Sequence, residues 1–131
     1  MRFFRALLPF LVFLSAVMSG ASYPHRPSPS PIAVATAFQK NLEIDVQKGS
    51  LPLINFHILP SFTYAPCLQK PIDRAAFVSY LKTIRVAATV LEARGDRQFV
   101  IYKMKFDGKM VEAMIQIDHR PRLVRAQQLI C

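Results

Sequence analysis

Apolar and polar side chains alternate most regularly between Arg97 and Asp118, RQFVIYKMKFDGKMVEAMIQID. At the centre stands Asp107-Gly108, a dipeptide that tolerates positive φ and closes two-residue β-hairpin loops. That turn sets a register in which Phe106 faces Lys109, Met104 faces Val111, Tyr102 faces Ala113 and Val100 faces Ile115. One side of the ribbon is then oily. The other is mixed, with Phe99 beside Gln116, Ile101 beside Met114, Lys103 beside Glu112 and Lys105 beside Met110. A slip of one residue would turn every side chain to the wrong side, so the pattern specifies the pairing.

The other segments are read from the same periodicities. Ile32, Ala35, Phe38 and Leu42 recur at helical spacing, with Ser30 and Pro31 as start signals, and predict a short amphipathic helix over 32–42. Ile54, Phe56 and Ile58 alternate with Asn55 and His57 between Pro52 and Pro60, which predicts an edge strand over 53–59. Residues 61–71 read as an irregular connector anchored by Phe62, Tyr64 and Cys67. Asp73 is a candidate N-cap and Gly95 a candidate stop for a long helix whose stripe is Phe77, Leu81, Ile84, Ala88 and Leu91. Val86, Thr89 and Val90 are β-branched and weaken its second half, leaving a strand there as the alternative. His119-Arg120-Pro121 makes a turn, and residues 122–130 form a third strand. The expected architecture is α+β: a long helix packed on a meandering antiparallel sheet, with one disulfide.

Composition changes this picture at the N-terminus. Arg2 and Arg5, an uncharged apolar run over 6–17 and the small residues Ser19-Gly20-Ala21 have the three-part form of a secretory signal peptide, with cleavage after Ala21. The run is about 12 residues, short of the roughly 20 that a membrane span needs. Residues 22–31, rich in proline and serine, read as a disordered arm, and 32–131 as one α+β domain. Cys67 and Cys131 both fall after the leader, where an oxidising compartment favours a disulfide between them. His25, His57 and His119 lack ligand spacing, so neither a metal site nor a cofactor is expected.

The chain carries +9, and +7 without the two leader arginines, which favours anionic partners. Lys103, Lys105, Arg120 and Arg122 cluster around the hairpin and third strand, with Phe99 on the face of the two lysines: a set that can hold a nucleic-acid backbone and stack a base. There is no Gly-x-Ser-x-Gly elbow and no phosphate loop. The one chemistry that the inventory can supply is acid–base cleavage of RNA, with Glu112 and His119 trading the proton and Arg125 or Arg122 on the phosphate.

Tyr64, Cys67, the helix from Asp73, the Asp107-Gly108 hairpin and the near-terminal Cys131, behind a signal peptide and in a basic domain, resemble the RNase-like secreted effectors of powdery-mildew fungi. The resemblance spans Tyr64 to Cys131. It implies an RNase-like fold, usually without catalytic residues, acting on RNA or a host protein inside host cells. A long helix beside antiparallel strands is also similar to cystatins, secreted inhibitors of cysteine proteases. Gln98-Phe99-Val100-Ile101 matches the start of their Gln-x-Val-x-Gly loop, with Tyr102 where the glycine falls. The sequence therefore predicts a secreted, monomeric, non-enzymatic effector-type binding protein, RNase-like or cystatin-like, without stable membrane insertion. An active ribonuclease and a protease inhibitor are the alternatives.

Overall fold

The computed structural model describes residues 29–84 and 87–131. The leader and the arm up to residue 28 lie outside the described residues. The hairpin forms in the predicted register at all eight pairs, from Phe99 opposite Gln116 to Phe106 opposite Lys109. Asp107 and Gly108 take positive φ at its tip, 52° and 72°. Its strands are β4 (Phe99–Phe106) and β5 (Lys109–Gln116). Val100, Tyr102, Met104 and Phe106 are buried on the same side as Val111, Ala113 and Ile115.

Around that ribbon lie seven further elements. Helix α1 (Pro31–Lys48) begins at the predicted signals, since the Ser30 side chain accepts from the Ala33 backbone and Gly49 ends the helix in the left-handed region. It runs well past Leu42 because Glu43 to Lys48 carry no breaker. Helix α2 (Leu51–Phe56) replaces most of the expected strand. Pro52 falls in its first turn, where a missing N–H costs nothing. The chain then extends as β1 (Ile58–Ala65), through the segment read as a connector. Phe62 and Tyr64 are the buried members of an alternation hidden by Pro60, which sits where the ladder shifts register between Ile58 and Thr63.

The two-residue strand β2 (Ile72–Asp73) leads into α3 (Arg74–Ile84), whose start Asp73 caps by accepting from the Ala76 N–H at 2.9 Å. The predicted stripe holds for Phe77, Leu81 and Ile84 and then stops. The β-branched half is strand β3 (Thr89–Gly95), and Leu91 is 47% exposed. Gly95 therefore terminates a strand rather than a helix. It sits so close to β4 that a Cβ there would lie 2.4 Å from the Phe99 carbonyl oxygen. Strand β6 (Arg122–Gln128) completes the sheet.

The sheet order is β2-β1-β6-β5-β4-β3. All neighbours are antiparallel except β1 and β6, which run parallel. Parallel strands need a long crossover. Here everything from α3 to β5 supplies it. This corrects the expected architecture: the sheet is six-stranded and mixed, not a meander, and two helices, α1 and α3, lie on its inner face. Cys131 is bonded to Cys67, with their Cα atoms 5.6 Å apart, so the chain end is fixed beside the end of β1. No helix among the described residues is long and apolar enough to cross a membrane.

Candidate functional site

The inner face of the sheet is not fully covered. α1 and α3 diverge over the hairpin end of β4 and leave a cleft of about 390 Å³. From α1 it receives Gln39, Leu42, Glu43 and Val46, which are neighbours on one face because residues three and four apart line up along a helix. Leu81 and Ile84 of α3 form the opposite wall, and Phe106 the floor. A volume in the range of small-molecule sites, mostly apolar walls and few polar groups describe a ligand pocket.

The polar groups are specific. Gln39 is 5% exposed, in a helical stripe otherwise made of Ala35, Phe38 and Leu42. Its Oε1 accepts from the Tyr102 hydroxyl at 2.5 Å. Burial pushes the Tyr102 phenol far above its ordinary value, so the hydroxyl stays protonated and keeps donating. With its carbonyl committed, Gln39 keeps its amide N–H groups, which have no protein acceptor among the described residues. One turn on, Glu43 accepts the Ala88 N–H at 2.8 Å through one carboxylate oxygen, and the other has no donor among the described residues. The cleft thus offers a fixed donor and a fixed acceptor one helical turn apart.

Residues next to its lining tie α3 to the hairpin tip. Tyr80, just before Leu81, donates to Asp107 Oδ2 at 2.6 Å, and Asp107 directly follows Phe106. Lys109 binds the same oxygen at 3.1 Å. Burial, then the hydrogen bond to Asp107, holds the Tyr80 phenol well above its usual range. The Tyr80 hydroxyl, then Lys109, keeps the Asp107 carboxyl below the ordinary carboxylate value. Tyr64 stacks on Tyr80 at 6.3 Å, and its own phenol is raised by burial and then by the Asp107 charge. One hydrogen bond thus joins the α3 wall to the β4 floor.

The residues singled out from the sequence lie mainly on the opposite, outer face. Phe99, Gln116 and Arg122 form one row across three strands, and Ile101, Met114 and Arg125 the next. Lys103 and Lys105 follow on β4. Lys103 stands opposite Glu112, but its ammonium pairs with Glu92 of β3 at 3.1 Å. Glu112 instead accepts from Gln127 at 3.3 Å. The Arg122 Nε is buried with no partner among the described residues. Arg120 leaves this face: its guanidinium lies 3.3 Å from the ring centroid of Phe56 in α2.

The ribonuclease trio is not gathered. Glu112 and Arg125 are neighbours on the outer face, but His119 lies in the exposed turn beyond Gln116, more than about 13 Å along the strand from Glu112 at the usual rise per residue. Phe99, Val100 and Ile101 are paired within β4, so the cystatin-like tripeptide is sheet rather than a protruding loop. Glu43 lies beyond the helix predicted over 32–42, and Gln39 lies within it as a polar residue beside its apolar stripe. Their i, i+4 spacing within an apolar stripe was the available signal.

The mixed six-stranded sheet with its helices has solved counterparts. An NTF2-like protein of unknown function from Silicibacter pomeroyi superposes with a TM-score of 0.56 at 12% identity, covering 76% of this chain and 95% of that one. The fold is NTF2-like. A second NTF2-like protein, from Cytophaga hutchinsonii, gives 0.56 at 8% identity over 75% of this chain and 96% of its own. A de novo designed protein with a curved β-sheet gives 0.57 at 12% identity over 74% and 94%. The NTF2-like architecture overturns the RNase-like and cystatin-like expectation. At these identities the likeness carries the fold alone. No family model and no curated protein matches the sequence.

Proposed function

We propose that the chain is an exported, non-enzymatic binding protein that holds a small, largely apolar molecule in the cleft between α1, α3 and β4. The observation that carries this reading is Gln39. A buried amide in an apolar stripe is costly unless its groups are used. Its carbonyl is used by Tyr102, and its N–H groups are available to the cleft. The fitting ligand has an apolar body and a carbonyl or ether oxygen for Gln39. A hydroxyl or N–H one helical turn away would meet Glu43. Prodan, a neutral naphthalene ketone, is a suitable probe. Fluorescence titration should show saturable binding to one site, abolished by Val46→Phe, which fills the cleft from α1. Failure to saturate, or unchanged affinity in Val46→Phe, removes the reading.

The outer face supports a second reading, a single-stranded RNA partner. The sheet register brings Phe99, Lys105, Arg122 and Arg125 to one surface, which suits an aromatic stack within a phosphate track. Anisotropy of a labelled RNA at low salt should rise on binding and fall back in Lys105→Glu/Arg122→Glu. No binding at low salt disposes of it. If the RNA is also cut to cyclic-phosphate ends and Glu112→Gln stops the cutting, the ribonuclease alternative replaces it.

A further inference from the structure

The turn between β5 and β6 folds back over the start of α1 and the end of α2. Between them lies a second depression, separate from the cleft and of about 440 Å³. Its base is a shelf on α1, where Ala33, Ala37 and Asn41 fall one above another at four-residue spacing. Phe56 and His57 at the end of α2 and Arg120 of the β5–β6 turn complete the lining. The alanines leave room where larger side chains would fill it.

The charge in this depression is uneven. The His57 Nε2 is bonded to Asp45 at 2.6 Å, so that carboxylate is occupied. Among the described residues Arg120 makes no ion pair. Its guanidinium carbon lies over the Phe56 ring, 3.3 Å from the centroid. A guanidinium stacked by its face keeps its N–H donors at the edge, in the plane where a carboxylate binds through two parallel hydrogen bonds. The Asn41 amide makes no hydrogen bond among the described residues. An apolar shelf ending in a stacked arginine with no ion pair among the described residues is complementary to an amphipathic anion. We infer that this depression binds an amphipathic monocarboxylate, with its hydrocarbon part on the alanine shelf and its carboxylate on Arg120. The site is independent of the cleft ligand proposed above.

Calorimetric titration of the disulfide-intact protein with decanoate and with decanol, both below their aggregation limits, tests this. Decanoate should bind at one site. Arg120→Gln should weaken decanoate about tenfold or more, the usual size of a hydrogen bond to a charged group, and leave decanol unchanged. Ala37→Phe, a substitution at an exposed helical position, should abolish both, whereas Val46→Phe in the cleft should alter neither. Loss of binding in Val46→Phe but not in Ala37→Phe would move decanoate to the cleft and overturn the inference. So would equal affinity in wild type and Arg120→Gln. An absence of heat with the full chain overturns it too.

Discussion

Tyr102→Phe removes one oxygen atom and nothing else from the core. The ring, 1% exposed, keeps its packing against its neighbours. The lost group is the hydroxyl that reaches Gln39 at 2.5 Å, and Gln39 is itself 5% exposed. Its carbonyl would be left in an apolar wall with no donor. A buried acceptor stripped of its partner costs about 1–3 kcal/mol, more than the net worth of the bond, because its desolvation is no longer offset. At a urea slope of about 1–1.5 kcal/mol per molar for a domain of this size, the midpoint should fall by about 0.7–3 M. Tyr102→Phe combined with Gln39→Met removes both polar groups at nearly constant volume, so it should recover much of that loss. Urea unfolding followed by far-UV circular dichroism, with the disulfide intact, gives all four corners of the cycle. A Tyr102→Phe cost below about 0.5 kcal/mol would refute the reasoning. So would strict additivity of the two substitutions, because it would mean that the two side chains do not interact.

Three further outcomes follow from the same geometry. Gly95→Ala places a methyl 2.4 Å from the Phe99 oxygen and 2.9 Å from the Val100 Cα, both backbone atoms. It should cost about 1–3 kcal/mol by overpacking, and an unchanged melting temperature would refute the tight β3–β4 approach. Opening the Cys67–Cys131 bridge, which spans 64 residues, by Cys67→Ser with Cys131→Ser should cost about 4 kcal/mol by loop entropy. A guanidinium midpoint that does not move would contradict that. Asp107 is held below the ordinary carboxylate value on folding. Its contribution is therefore present above the unfolded pKa of about 3.9 and is lost as pH falls through the lower folded value. Tyr80 is raised, so its contribution is complete below about pH 10 and is lost at higher pH. Wild type should exceed Asp107→Asn in stability at pH 7, and the gap should close below about pH 4. A gap independent of pH would mean that the Tyr80–Asp107 bond does not form.

Signals carried by neighbours in sequence were legible. Asp107-Gly108 fixed the hairpin register, Ser30-Pro31 and Asp73 marked helix starts, and the two cysteines pointed to the bridge. Misreadings arose where two periods overlap. Ile54 and Ile58 are both buried, but one is on a helix and the other on a strand, and the four-residue gap fits either period. Thr89 to Gly95 continued an apolar stripe at helical spacing although its β-branched residues favoured extension. The parallel pairing of β1 with β6 leaves no local trace, because its partners are about sixty residues apart. Without it, the sheet read as a meander and the fold class went astray. The cleft has no local signature for a related reason: one wall is Gln39, Leu42, Glu43 and Val46 of α1, the other comes from α3, and only the folded sheet brings them together. Basic residues stood out in the sequence because charge needs no fold to be seen, yet the sheet puts most of them on the face away from the cleft.

Methyl NMR of the labelled protein during addition of prodan locates the ligand directly. Binding in the cleft predicts shifts confined to Leu42, Val46, Leu81 and Ile84, with Ile101 and Met114 on the outer face unmoved. Shifts centred on Ile101 and Met114, or no shifts at saturating probe, would contradict the assignment of the cleft as the binding site.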